Sequence, residues 1–181
     1  MKALCFLLAF FCVSLQNYAQ LYIAKSGTVS FFSAAPMENI DGESKSVNAL
    51  LNAENNEIAV IVPVSSFQFK KALMQEHFNE KYMESQKYRE ARFKGRILGD
   101  VDYKKDGVYP VTASGLLNLH GVEKSYTEKG TLTVKGDELL LACQFNVILK
   151  DHKIEVPSIV SQKIAEQVLV TMHVICIPYK K

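Results

Sequence analysis

The apolar periodicity of residues 65–97 changes twice, and this change constrains the fold more than any other sequence feature. Phe67 and Phe69 alternate with polar neighbours, as in a strand with one buried face. Over residues 71–82 the apolar residues recur at the spacing of a helix, and over residues 93–97 they alternate again. The sequence therefore predicts a strand, one short amphipathic helix and a second strand, without a flexible linker between them.

The predicted helix has one apolar face and one largely polar face. Its apolar face is made of Leu73, Met74, His77, Phe78 and Tyr82. We expect this face to lie on a sheet, so that the helix forms a lid.

Strand patterns recur along the rest of the chain, separated by clusters of Gly, Asn and Asp. Apolar residues that share a strand face include Val29, Phe31, Val47, Ala49, Leu51, Phe93, Leu117, Leu119, Leu132, Val134, Phe145 and Val147. Eight to ten strands and one helix emerge, with no βαβ spacing. This composition of elements favours an antiparallel barrel or sandwich over a parallel sheet.

Several breaks between strands are predicted. Residues 39–42, Asp106-Gly107 and Gly136-Asp137 have turn composition. At the start of residues 58–69, both the even-numbered and the odd-numbered residues are apolar, which predicts a bulge or a strand covered on both faces. Residues 151–164 contain Pro157 and predict an irregular loop.

Residues 1–19 have the layout of a secretory signal peptide, with a basic start, an apolar run and Ala19 before the expected cleavage site. The run is shorter than the roughly 20 apolar residues of a membrane-spanning helix, so stable membrane insertion is not predicted. Lipid attachment at Cys12 is disfavoured because two phenylalanines precede it where small residues are expected. We expect residues 20–181 to form one domain, periplasmic or secreted.

Charge and motifs exclude several function classes. The formal net charge is only +2, with both signs interspersed, so nucleic acid is not an expected partner. The four histidines are scattered singly, and the spacing of Asp100, Asp102 and Asp106 does not fit a calcium loop. No nucleophile-elbow motif is present. We therefore predict neither a metal site nor a catalytic site.

Cys143 and Cys176 remain after removal of the leader. Counting by two places each thiol on the apolar face of its strand. The thiols can pair only if the two strands are neighbours in register. Buried free thiols are favoured, and a disulfide stays open.

The chain resembles the YceI-like family in several segments. SSFQFKKALMQEHFNEKYMESQKYREARFKGRI at residues 65–97 is similar to the family signature, although Arg89 stands where proline is usual. GLLNLHGV at 115–122 and FNVILKDHKI at 145–154 resemble two later family elements. Residues 27–31 and 62–64 also fit.

The resemblance implies an all-β, mainly antiparallel fold: a lipocalin-like, extended eight-stranded β-barrel with one amphipathic lid helix. It further implies a non-enzymatic protein that binds an isoprenoid-type lipid in its interior, such as a polyprenyl lipid or a quinone, and needs no cofactor. Expected cavity and lid residues are Phe67, Phe69, Met74, His77, Phe78, Tyr82, Phe93, Leu117, Leu119, Phe145 and Val147.

Two other functions stay open at this point. One is a solidly packed barrel that binds another envelope protein through an exposed apolar patch. The other is a lipid-processing enzyme with His77, His120 or Asp151 as acid–base groups, which would have to converge in one pocket. A homodimer is also left open.

Overall fold

The computed structural model describes residues 21–34, 39–155 and 166–180. The signal peptide predicted at residues 1–19 and the loop around Pro157 lie outside these ranges. The described strands are β1 (Leu21–Ser33), β2 (Ile40–Ser44), β3 (Asn48–Asn52), β4 (Glu57–Pro63), β5 (Glu90–Leu98), β6 (Gly107–Leu119), β7 (Val122–Lys135), β8 (Glu138–Ile148) and β9 (Gln167–Pro178).

Helical structure is short. The α-helix α1 (Ala72–His77) continues directly into a π-helical turn (Phe78–Tyr82), and residues 72–82 are called the lid below. The described residues also form 3₁₀ turns at Val64–Ser66 and Leu149–His152. In the described part of the chain, no helix has the length and apolar character needed to cross a membrane.

All strand pairs are antiparallel, and pairing of β1 with β9 closes the sheet. The order is β2-β1-β3-β4-β5-β6-β7-β8-β9, so eight strands form the barrel and β2 is an extra strand. β1 makes this possible because its start pairs with β3 and its end pairs with β2, while β9 follows it along its other edge. The predicted eight-stranded antiparallel barrel is confirmed.

The barrel interior follows from the period-two patterning. In β4, Ile58, Val60 and Val62 are buried, whereas the residues between them are not. Leu132 and Val134 of β7 are buried in the same way, and Gly136-Asp137 joins β7 to β8 as predicted. Gly136 has a φ of +56°, a conformation that glycine adopts at little cost.

The interpretation of residues 58–69 as a bulged or doubly covered strand was wrong. β4 ends at Pro63, and the 3₁₀ turn that follows redirects the chain. The Ser66 hydroxyl stabilises this turn by donating to the Pro63 carbonyl at 2.5 Å. Beyond the turn the chain is extended again, and Gln68 exchanges two backbone hydrogen bonds with Glu43 of β2.

Two predicted turns also differ in the structure. Residues 40–44 form β2 instead of a break, because their backbone pairs with the end of β1. Asp106-Gly107 is not a hairpin turn: a loop covers residues 99–106, and Gly107 begins β6. The loop is held by side chains, since Asp102 Oδ1 accepts a hydrogen bond from Lys104 N at 3.0 Å and Asp106 Oδ1 accepts one from Gly136 N at 2.8 Å.

Gly95 and Gly115 face each other across β5 and β6. A β-carbon at Gly115 would lie 2.5 Å from Gly95 Cα and would also overlap backbone at Lys94. We expect Gly115→Ala to lower the free energy of unfolding by about 1–3 kcal/mol, because backbone must move to relieve the overlap. Urea unfolding measures this loss. Ser114→Ala, which removes only an exposed hydroxyl contact, is the control, and an equal effect of both changes would contradict the steric account.

Candidate ligand-binding cavity

The end of the barrel next to the lid contains a partly open cavity of about 510 Å³, with walls formed by every strand of the barrel except β3. Its lining is predominantly aliphatic and aromatic. The wall includes Val29, Phe31, Ile58, Val60, Val62, Phe93, Ile97, Val111, Ala113, Leu117, Leu141, Phe145, Val147, Val170 and Met172. The volume lies in the range of roughly 300–1,000 Å³ typical of small-molecule sites.

The opposite end of the barrel, away from the lid, is filled by buried side chains. Tyr22, Leu51, Leu139 and Val174 there are 0–1% exposed. Tyr103, from the 99–106 loop, stacks on Tyr22 with ring centroids 6.5 Å apart. Burial raises the pKa of Tyr103 to about 12, so its hydroxyl stays protonated. The barrel is therefore closed at the end away from the lid, and the cavity lies on the lid side.

The lid is docked on the barrel by a cluster of four phenylalanines: Phe31, Phe67, Phe69 and Phe78. Phe78 lies in the π-helical turn, and its ring centroid is 5.5 Å from Phe31, 5.6 Å from Phe67 and 4.9 Å from Phe69. Gly42 makes room for this cluster, since a β-carbon there would lie 2.7 Å from the Phe31 ring. These separations are those of favourable aromatic pairs.

A second apolar cluster holds the far end of the lid. Val64, Met83 and Ile154 form its buried centre, and Phe78 and Tyr82 pack against it. The π-helical turn allows this because its wider hydrogen bond, from Met83 N to Phe78 O at 2.9 Å, inserts a residue into the helix. Phe78 and Tyr82 thereby both reach the barrel.

The turn before β5 forms without the family's proline. Lys87 N and Tyr88 N both donate to the Glu84 carbonyl, at 2.8 and 2.9 Å. The carbonyl of Arg89 accepts a hydrogen bond from Val64 N at 2.8 Å, which fixes the start of β5 beside β4. Backbone bonding replaces the restraint that proline would supply.

All eleven residues predicted for the cavity and lid line this cavity. Phe67, Phe69, Met74, His77, Phe78 and Tyr82 come from the lid and the segment before it, and Phe93, Leu117, Leu119, Phe145 and Val147 from the strands. Their contact with a ligand stays a prediction. Leu73 differs from its predicted place on the inner helix face, because it lies at the cavity mouth and is 60% exposed.

Sequence reasoning did not select several cavity residues. Val168, Val170 and Met172 of β9 and Glu128 of β7 also line the cavity. Period-two counting contained the information, since Glu128 shares its parity with the buried Leu132 and Val134. A glutamate at such a position is easily assigned to a solvated face, because charged residues are usually exposed.

Cys143 and Cys176 are free thiols. β8 and β9 are neighbours, but Cys176 lies opposite Leu139, four positions before Cys143. Four residues extend about 13 Å along a strand, which exceeds the ~7 Å limit for a disulfide. Burial raises the pKa of each thiol to about 11, and the charge of Glu128 adds to the rise at Cys143.

A polar cluster beneath the lid joins the β6–β7 turn to the 149–152 turn. His152 is fully buried, and its Nδ1 donates to the carbonyls of Leu119 and Val122, 3.3 and 3.2 Å away. The Tyr126 hydroxyl donates to His152 Nε2 at 3.0 Å. His120 Nδ1 donates to the His152 carbonyl at 3.1 Å, consistent with the predicted turn histidine bonded to backbone.

This cluster makes stability depend on pH. Burial lowers the pKa of His152, although its hydrogen bonds to Val122 and Leu119 act in the opposite direction. The unfolded chain then binds a proton more tightly than the folded chain, so the free energy of unfolding falls below about pH 6.5. We expect a loss of up to about 1.4 kcal/mol per pH unit from this group.

Urea unfolding between pH 7.5 and pH 5 measures this dependence. His152→Asn, which keeps a donor but does not titrate, is expected to show a shallower decrease across the same range. An identical pH profile in the two proteins would exclude His152 as the group responsible.

Comparison with known proteins places the chain in a family. The model of the YceI-like domain matches residues 22–175. No curated protein sequence matches the chain.

Solved structures share the fold at low sequence identity. A polyisoprenoid-binding domain from Saccharophagus degradans, implicated in plant cell wall breakdown, has a TM-score of 0.72 and 12% identity, covering 90% of this chain and 100% of that one. BcnA from Burkholderia cenocepacia has a TM-score of 0.69 and 16% identity, and the alignment covers 82% of this chain and 95% of BcnA. The Campylobacter jejuni YceI protein has a TM-score of 0.63 and 13% identity, and the alignment covers 80% of this chain and 88% of that protein.

The match of the domain model over nearly the whole described barrel and the shared eight-stranded architecture lead to one conclusion. The chain belongs to the YceI-like family.

Proposed function

We propose that this protein binds an isoprenoid-type lipid, such as a polyprenyl lipid, a quinone or a similar amphiphile, and sequesters or transports it in the cell envelope. The apolar cavity beneath the lid is the observation that carries this proposal. The polyisoprenoid-binding domain with the same fold supports the choice of ligand class. The signal-peptide layout of residues 1–19 supports a periplasmic or secreted location.

The wall chemistry suits a hydrocarbon tail. Most lining side chains are Val, Leu, Ile and Phe, which offer a tail dispersion contacts and no hydrogen bonds. Each buried methylene contributes roughly 0.8 kcal/mol, so about ten buried carbons supply several kcal/mol without a polar contact. Binding of this kind requires no covalent chemistry and no cofactor.

The lid would cover the tail and present polar groups at the cavity mouth. His77 and Tyr82 of the lid, and Lys71 just before it, all line the cavity. The Lys81 ammonium donates to His77 Nε2 at 3.1 Å, which places a positive charge on the lid. A polar headgroup at the mouth would meet these side chains.

Organic extraction and mass spectrometry of protein purified from its native compartment test the proposal. We expect a lipid with a long apolar tail to be recovered in stoichiometric amounts. Repeated recovery of no lipid, together with failure of the purified protein to bind added isoprenoid alcohols, would overturn it.

The two alternative functions receive no support from the described residues. A packed interaction module requires a filled interior, whereas the barrel holds a cavity. An acid–base enzyme requires two of His77, His120 and Asp151 to converge in one pocket, but among these residues only His77 lines the cavity.

A further inference from the structure

The wall of the barrel is incompletely paired between β7 and β8. Their ladder runs from Lys135 opposite Glu138 to Gly130 opposite Cys143 and ends there. Beyond this point β7 continues to pair with β6 up to Val122, and β8 continues to pair with β9 up to Ile148. We call this unladdered boundary, residues 122–129 against residues 144–148, the β7–β8 seam.

Glu128 lies at the seam with its side chain on the cavity side. It lines the cavity together with Tyr126 and Gly130, its neighbours two positions away on the same strand face. Across β6 its partner is Ala113. Because Ala113 and Gly130 are small, they leave the carboxyl group accessible from the cavity.

The carboxyl group has no protein partner in the described ranges 21–34, 39–155 and 166–180. No hydrogen bond or ion pair there engages it, whereas Glu138 pairs with Lys25 at 2.7 Å and Glu84 pairs with His120 at 3.2 Å. Burial is the main cause of the raised pKa of Tyr126 and of Cys143; the charge of Glu128 adds to the rise at Cys143 and, after that of Asp151, at Tyr126. A donor on a ligand at this place would form a charge-assisted hydrogen bond with the carboxylate.

The other ionisable groups at the cavity come from the lid, from the residue before it and from the barrel wall. Lys71 and His77 approach from above, and Tyr82, Tyr126 and Cys143 are neutral acids with raised pKa values. Among the described residues, Glu128 is therefore the one carboxyl group that lines the cavity.

We propose that Glu128 is a specificity-determining residue that accepts a hydrogen bond from the ligand. The ligand class is an amphiphile with a donor, a hydroxyl, amide N–H or ammonium group, placed at the β7–β8 seam. An anionic group at the same place is disfavoured by repulsion. This inference rests on the proposed function, because it requires an apolar tail to occupy the cavity.

Displacement of diphenylhexatriene, a fluorescent hydrocarbon, tests this with three probes of equal tail length: octadecylamine, octadecanol and octadecanoate. We expect the wild-type protein to bind the amine and the alcohol roughly tenfold or more tightly than the carboxylate, the difference that one charge-assisted hydrogen bond makes. Glu128→Gln is expected to reduce this preference, and Glu128→Leu to abolish it.

Glu123→Gln is the matched control, since Glu123 lies on the same strand but is exposed. It should keep the wild-type ranking. Equal binding of the three probes by the wild-type protein, or an unchanged ranking in both Glu128 variants, would overturn the inference while leaving the lipid-binding function in place. Failure of the wild-type protein to bind diphenylhexatriene or any probe would overturn both.

Discussion

Ala113→Phe is expected to eliminate lipid binding while the barrel remains folded. Ala113 lies on the inner face of β6, where its neighbours across the sheet are Ile97 and Glu128. A phenyl ring there would project into the cavity of about 510 Å³ and occupy the space proposed for the tail. Loss of contact with about five methylenes costs roughly 4 kcal/mol, so affinity should fall by about three orders of magnitude.

Displacement of a fluorescent hydrocarbon measures this loss, and circular dichroism verifies the fold. Leu116→Phe is the control, because Leu116 lies on the same strand but is 43% exposed on the outside. Unchanged affinity in a folded Ala113→Phe protein would show that the tail does not occupy this part of the barrel.

Phe78→Ala is expected to release the lid. The ring of Phe78 contacts all three other rings of the phenylalanine cluster and also packs against the second cluster around Val64 and Met83. Truncation of such a side chain costs about 3 kcal/mol, at the low end for phenylalanine because Phe78 is only partly buried. Since the loss falls on the lid, opening of the lid should become roughly 100-fold more frequent.

Hydrogen exchange at Met83 N and Ser85 N measures lid opening, because both amides follow the lid and donate to lid carbonyls, those of Phe78 and Asn79. Their protection should fall in Phe78→Ala while strand amides keep theirs. Leu73→Ala is the control, since that side chain is 60% exposed and should leave protection nearly unchanged. Equal protection in Phe78→Ala and the wild-type protein would show that the phenylalanine cluster does not hold the lid.

The barrel class and the cavity lining could be predicted because both depend on local patterning. Alternation places Phe93, Leu117 and Val147 on one face of their strands, and a closed antiparallel barrel has only one interior for those faces. The helix was predicted at residues 71–82, and the helical residues of the lid are 72–82, so the bounds agree to within one residue. The π-helical turn was not predicted, because it depends on docking of Phe78 and Tyr82 at two different clusters.

Other features depended on contacts between distant segments. Residues 40–44 have the composition of a turn, yet they form β2 because the free edge of β1 lies beside them. The 99–106 loop has no strand pattern, but Tyr103 attaches it to the closed end of the barrel. The Tyr103 ring stacks on Tyr22, and its hydroxyl donates a 2.7 Å hydrogen bond to Asn56. No local property of these segments indicates their partners.

By itself the sequence determined which side chains face inward, because strand and helix periodicities are set by the backbone. It also supplied a lid with one apolar face. Only the tertiary structure decided that the interior is partly empty and that Glu128 faces it at an unladdered seam. Whether inward-facing side chains fill a barrel depends on strand number and stagger, which arise from pairing between segments far apart in the chain.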